Sequence, residues 1–182
     1  MIIKIINKLK LFSQRKKMGI LDKNIIINSY SIFGDYKNIE WGNYIYIGPY
    51  AYIWATGGLK IGNNVIIGPR ITIHTSNHNY ENRKFLPYDG KTILKKVIIE
   101  DNVWIGDHVL ITPGVTVGEG SIVAMGSVVT KDVPKCSLIG GNPARIIKRL
   151  DINEYENLKK EEKFYLKCKL EGKIQWKKIR QK

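Results

Sequence analysis

A chain of 182 residues, 43% hydrophobic and 25% charged, has the size and composition of one soluble globular domain. No apolar run approaches the roughly 20 residues that span a bilayer, which excludes a transmembrane helix. Two cysteines, Cys136 and Cys168, make no disulfide framework and read as reduced thiols of a cytoplasmic protein. The net charge of +14 sits on the two ends: residues 1–17 carry six Lys/Arg and no acid, and residues 148–182 carry twelve against six acids.

The chain opens with MIIKIINKLKLFSQRKK, and residues 1–19 form a basic amphipathic segment. It lacks a continuous apolar core and a small-residue cleavage site, so no secretory signal is expected. Two roles compete for it: covering one end of the fold, or peripheral contact with an anionic inner membrane face. Nucleic acid is the usual partner of basic tails. No helix-turn-helix, zinc or RNA-binding signature accompanies these, and no nucleic-acid partner is expected.

From residue 20 to 150 the chain repeats with period six. Apolar residues fall at Leu21, Ile27 and Phe33; Trp41, Ile47 and Ile53; Ile61, Ile67 and Ile73; Ile99, Ile105 and Ile111; Val117, Val123 and Val129. Neither a helix nor a simple sheet has this period. A solenoid has it: each hexad gives one short strand and one corner, and three hexads close a triangular coil. The predicted architecture is an all-β prism of about five coils, with the marked residues pointing inward. Glycine follows many of them, as at Gly42, Gly48, Gly62, Gly68 and Gly106, where the corner backbone is expected to resist a Cβ.

Between triplets the steps are 8, 8, 26 and 6, so every insertion leaves the prism at one edge. The longest gives an extruded loop over residues 74–97, with His74 and His78 inside HTSNHNYEN. A long loop returned to one edge is the way a solenoid builds a site. After the repeat, residues 151–182 are lysine-rich with scattered apolar positions and read as a helical extension, expected to cover the open end of the prism.

The hexads, and above all DNVWIG, PGVTVG, GSVVTKDVP and GGNPARIIK within residues 98–150, resemble the hexapeptide-repeat acyltransferases, in the maltose and galactoside O-acetyltransferase branch. That resemblance implies a left-handed parallel β-helix, a homotrimer with active sites between subunits, and acetyl-CoA as acyl donor with no metal required. It implies transfer to a hydroxyl of a sugar or glycan, and the loop is also similar to that of enzymes acting on surface polysaccharides. By position in TSNHN, His78 matches the catalytic general base. An imidazole with an ordinary pKa near 6.5 suits removal of a hydroxyl proton at neutral pH.

The same resemblance puts Trp104 and Asp107 on the pantetheine channel, and Met125 where a small residue usually bonds the pantetheine amide through its backbone. Thr130, Lys131 and Arg145 match positions that hold the nucleotide and its phosphates. Lys148 falls where some relatives carry a second arginine, keeping the charge without the bidentate fork. On the acceptor side Gly48 and Thr56 stand where relatives have the asparagine and aspartate that hold galactoside or maltose. Tyr50, Tyr52 and Trp54 are then open to stacking on a sugar ring or to a subunit contact. Tyr52, Trp54, His74 and Asn77 are the acceptor-side candidates.

Other readings compete with this one. An N-acyltransferase acting on an amino-sugar nucleotide and a streptogramin-type antibiotic acetyltransferase share the repeat. A carbonic-anhydrase-like prism would need His74, His78 and His108 on one zinc. A non-catalytic scaffold would leave the histidine and the basic VVTKD and NPAR segments without a role.

Overall fold

In the computed structural model the description covers residues 12–179 except 14, 22, 82, 175, 176 and 178. Residues 1–11, the larger part of the basic N-terminal segment, therefore lie outside the described residues. The marked residues stack in register on three parallel sheets, the faces of a left-handed β-helix of about six turns. On the first face Ile27, Ile47, Ile67, Ile105, Val123 and Ile139 lie one above the next. Phe33, Ile53, Ile73, Ile111 and Val129 do so on the second. Trp41, Ile61, Ile99 and Val117 do so on the third, extended by a bridge to Val133.

Nearly all of these side chains are buried, and together with Val65, Ile71, Val103, Val109 and Val115 they make one continuous core. Two details differ from the sequence reading. Leu21 is 41% exposed, and its neighbour Ile20 is the fully buried residue at the start of the prism. A sixth turn continues beyond Val129 through Val133 and Ile139, which the hexad count misses because the step from 129 to 133 is shortened.

The glycines after the inward residues are required for a different reason from the one expected. None of Gly42, Gly48, Gly62, Gly68 or Gly106 has a left-handed φ; the next coil simply runs too close for a Cβ. The left-handed residues come two positions later, at Tyr44, Tyr50, Asn64, Arg70 and His108, and Asn102 takes the same place after Glu100.

The ends of the prism expose strand edges, which need partners. At the start, the Arg15 guanidinium donates to the carbonyls of Ile20 (3.0 Å), Lys23 (3.3 Å) and Ile25, and the Lys23 ammonium to those of Trp41 and Gly42. At the other end, Ser137–Gly141 turns back into an antiparallel strand, Ala144–Arg149. The described residues of the C-terminal extension do not cover that end. It forms two short helices, α1 (Ile152–Lys160) and α2 (Tyr165–Leu170). They lie along the corner between the third and first faces, where Tyr155 meets Asn102 and Gly120. No helix of the described residues is long and apolar enough to cross a membrane.

Candidate active site

All insertions emerge at the corner between the second and third faces, as the spacing predicts. Residue 74 is still part of the prism, on strand Thr72–His74 of the second face. The extruded part is a two-stranded antiparallel hairpin, Ser76–His78 against Thr92–Leu94, with His78 opposite Thr92. Its junction is tied to the prism by Thr75, fully buried, whose hydroxyl donates to the Trp54 carbonyl (3.2 Å) and accepts from the Gly57 N–H (2.7 Å).

His78 stands at the end of its strand, with its N–H donated to the Asn77 side-chain oxygen (2.9 Å). It borders two clefts. One, of about 430 Å³, runs over the second face and is lined by His74, Asn77, Thr72, Leu110 and Thr112 among others. The other, of about 590 Å³, includes Asn79, Lys95, Pro113 and Thr130. An imidazole between two open clefts can meet an acceptor hydroxyl on one side and a second reactant on the other.

The ring is not free in the loop. Tyr88 stacks on it, centroids 3.9 Å apart and planes within 11°. Beyond His78 the hairpin is closed by Asn79, which donates its side-chain amide to Asp89 (2.9 Å) while Asp89 accepts from the Lys91 N–H (3.0 Å). Burial pushes the Asp89 carboxyl up, but these two hydrogen bonds and the Lys91 charge outweigh it and hold it below the usual carboxylate range. Tyr88 and this clasp are absent from the sequence reading. Nothing in NYENRKFLPYDG marks them, because the pairing exists only once the loop folds back.

Of the acceptor-side candidates, Tyr52, Trp54 and His74 form one exposed to half-buried aromatic group on the second face, with Tyr52 6.1 Å from Trp54 and 5.8 Å from His74. His74 and Asn77 share the first cleft with His78. Tyr50 stands apart on the neighbouring corner, stacked on Tyr30 at 5.2 Å. Thr56 is engaged elsewhere, donating its hydroxyl to Asp35 (2.7 Å).

The cofactor candidates divide. Thr130 lines a cleft with His78, and Lys131 follows it, exposed, on the same edge. Trp104 (54% exposed) lies on the first face, with Asp107 and Met125 at its corner with the second. Arg145 and Lys148 project from the last strand of that first sheet. From Trp104 to that strand is three coil steps, roughly 14 Å at the usual strand spacing. This is a solvent-open line with cations at one end, which fits an extended chain ending in phosphates. In a triangular prism, however, the edge bearing His78 lies opposite the first face. Within one copy the two residue sets therefore face in different directions.

Among the described residues no group of three His, Cys, Asp or Glu side chains is placed to hold a metal ion. His108 is on the corner between the first and second faces, while His74 and His78 lie on the second face and its hairpin.

Residues 96–131 match the family model described as "Bacterial transferase hexapeptide (six repeats)". The chain is 35% identical over 144 residues to a galactoside O-acetyltransferase of Lactococcus lactis, covering 78% of this chain and 68% of that one. Among solved structures it resembles a maltose O-acetyltransferase from Clostridium difficile, with TM-score 0.65 and 35% identity over 71% of this chain and 68% of that one. A hexapeptide-repeat acetyltransferase from Vibrio cholerae, solved with acetyl coenzyme A, matches with TM-score 0.54 and 32% identity over 79% and 78% of the two chains.

Proposed function

This chain belongs to the hexapeptide-repeat acyltransferase family, in its galactoside and maltose O-acetyltransferase branch, and we propose that it moves an acetyl group from acetyl-CoA to a sugar or glycan hydroxyl with His78 as general base. The observation that carries the reading is the imidazole of His78, held on a short hairpin between two open clefts, one of which reaches Thr130. Acetyl-CoA supplies an activated thioester, so neither a covalent enzyme intermediate nor a metal is needed. His78 takes the hydroxyl proton as the new C–O bond forms and the C–S bond breaks, and returns it to the departing thiolate.

The first-face residues Trp104, Asp107, Met125, Arg145 and Lys148 are assigned to the cofactor of a site completed by a second copy. That assignment rests on the family match and on the opposed placement of the two residue sets. For the acceptor, Thr56 has its hydroxyl committed to Asp35 and Gly48 has no side chain, which argues against free galactoside or maltose. The Tyr52–Trp54–His74 group favours a glycan, whose sugar rings stack on aromatics. A surface polysaccharide or its precursor is the acceptor we infer.

His78→Ala is expected to lower turnover at least about 100-fold, the usual scale for a general base. Acetyl-CoA should still raise the melting temperature of the variant. Acceptors are screened as 4-nitrophenyl glycosides, nucleotide sugars and lipid-linked glycans, with release of free CoA as the readout. A His78→Ala enzyme turning over at the wild-type rate would falsify the assignment.

A further inference from the structure

We propose that Tyr88 is a positioning residue for His78: it holds one face of the imidazole so that the ring presents a fixed edge to the acceptor. The inference rests on the reading of His78 as the base.

The geometry is that of a true stack, with 3.9 Å between centroids and planes 11° apart. A histidine on an exposed hairpin has a broad, nearly two-fold χ2 preference, so without a neighbour its ring turns freely. A general base needs the opposite, one nitrogen held within hydrogen-bond reach of the proton it removes. An aromatic ring laid flat on the imidazole blocks that rotation and leaves the nitrogens at the edge open. The Tyr88 hydroxyl makes no hydrogen bond among the described residues, so the ring is what is used.

Tyr88 is itself held. Its neighbour Asp89 is 5% exposed and accepts from both the Asn79 side chain and the Lys91 backbone. The Asp89 N–H in turn donates to the Asn79 carbonyl (3.3 Å), and the Asn79 N–H to the Lys91 carbonyl (3.1 Å). Asn79 directly follows His78, so the clasp ties the two stacked residues through adjacent backbone positions. A side chain placed at the surface merely to fill the loop would not need this double fixing.

The test combines a spectroscopic and a kinetic readout on the full chain. The protein has three histidines, so His78 ring protons are assigned by their loss in His78→Ala. In the wild type they should be shifted upfield by the Tyr88 ring, a shift lost in Tyr88→Leu and kept in Tyr88→Phe. With acetyl-CoA and the best 4-nitrophenyl glycoside, Tyr88→Leu should lower kcat about two- to tenfold, the range one stacking contact supports. KM for acetyl-CoA should not change, and Tyr88→Phe should recover most of the loss. In the His78→Ala background Tyr88→Leu should cost nothing further.

Asn79→Ala serves as a second variant if Tyr88→Leu does not fold, and it should reduce both the shift and kcat. Absence of the upfield shift, or an unchanged kcat in Tyr88→Leu while His78→Ala is inactive, overturns the role of Tyr88 and leaves the base in place. Full activity of His78→Ala instead overturns the reading on which the inference rests.

Discussion

A methyl group built on Gly106 would lie 2.7 Å from the Met125 backbone nitrogen of the next coil. Two residues later His108 takes a left-handed φ of 56° although it is not glycine. The two positions therefore test different physics. Gly106→Ala forces adjacent coils apart against a spacing set by their hydrogen bonds, and is expected to cost about 1–3 kcal/mol, as other overpacked sites do. His108→Gly relieves a backbone strain of about 1 kcal/mol but frees the unfolded chain by a similar amount, so the net change should be small. Urea midpoints at fixed protein concentration decide between them. If Gly106→Ala is neutral and His108→Gly destabilising, coil spacing is not what these glycines protect. The sequence shows that glycine recurs after many of the inward residues, and spacing alone identifies where it matters. It does not show why, because φ and the approach of the next coil are properties of the stacked fold.

At the scale of elements, α1 illustrates what local sequence determines and what it does not. Asp151 starts the helix by accepting from the N–H groups of Asn153 (2.8 Å) and Glu154 (3.1 Å), a cap readable from the residues alone. Where the helix docks is decided by two coil residues whose hexad positions carry no such signal. Gly120, with φ 67°, leaves room for the Tyr155 ring, which a Cβ would approach to 2.6 Å. Glu119 accepts from the Tyr155 hydroxyl (2.6 Å) and the Lys159 ammonium, with Lys135 3.4 Å away. This is why the extension lies along a corner and not across the end. The hairpin of the extruded loop is hidden for a similar reason, since its register depends on side chains meeting across an irregular turn.

The Glu119 latch also has a pH signature. Burial pushes its carboxyl up, but hydrogen bonds from Lys159 and Tyr155 and the charges of Lys159 and Lys135 prevail, and its pKa is lowered from 4.5. The unfolded chain then binds the proton first as pH falls. The stabilisation is complete above the ordinary glutamate value and is lost as pH drops through the lower folded one. The thermal midpoint should accordingly decline as pH falls below about 4.5. Glu119→Gln should start less stable at neutral pH and decline less. Parallel curves for the two proteins would show that the latch contributes nothing to stability.

At the scale of the whole molecule the three faces differ in kind. The third presents Glu40 and Lys60 to solvent, with Glu40 paired to Lys96 at 2.6 Å. The first and second instead expose large apolar side chains, Trp104 on the first and Ile32, Tyr52, Trp54 and Leu110 on the second. Those two faces share a corner. If three copies put that corner on a common axis, the first face of each looks toward the second face of the next, the heterologous contact that closes a ring. Three roughly equilateral corners fill only half a turn, so a wedge remains between each pair of copies. Into it would point the His78 hairpin of one copy and the line from Trp104 to Arg145 of the other, the two residue sets that one chain holds on opposite sides. This arrangement makes a demand that a site within one chain does not. His78→Ala and Trp104→Ala chains are each expected to lose activity alone and to regain it when refolded together, because some wedges then receive an intact histidine and an intact tryptophan. Random assembly predicts recovery at roughly a quarter of the sites. Sedimentation should give a trimer for each variant and for the mixture. Mixed trimers without recovered turnover would place the whole site within a single chain and remove the reason for assembling one between copies.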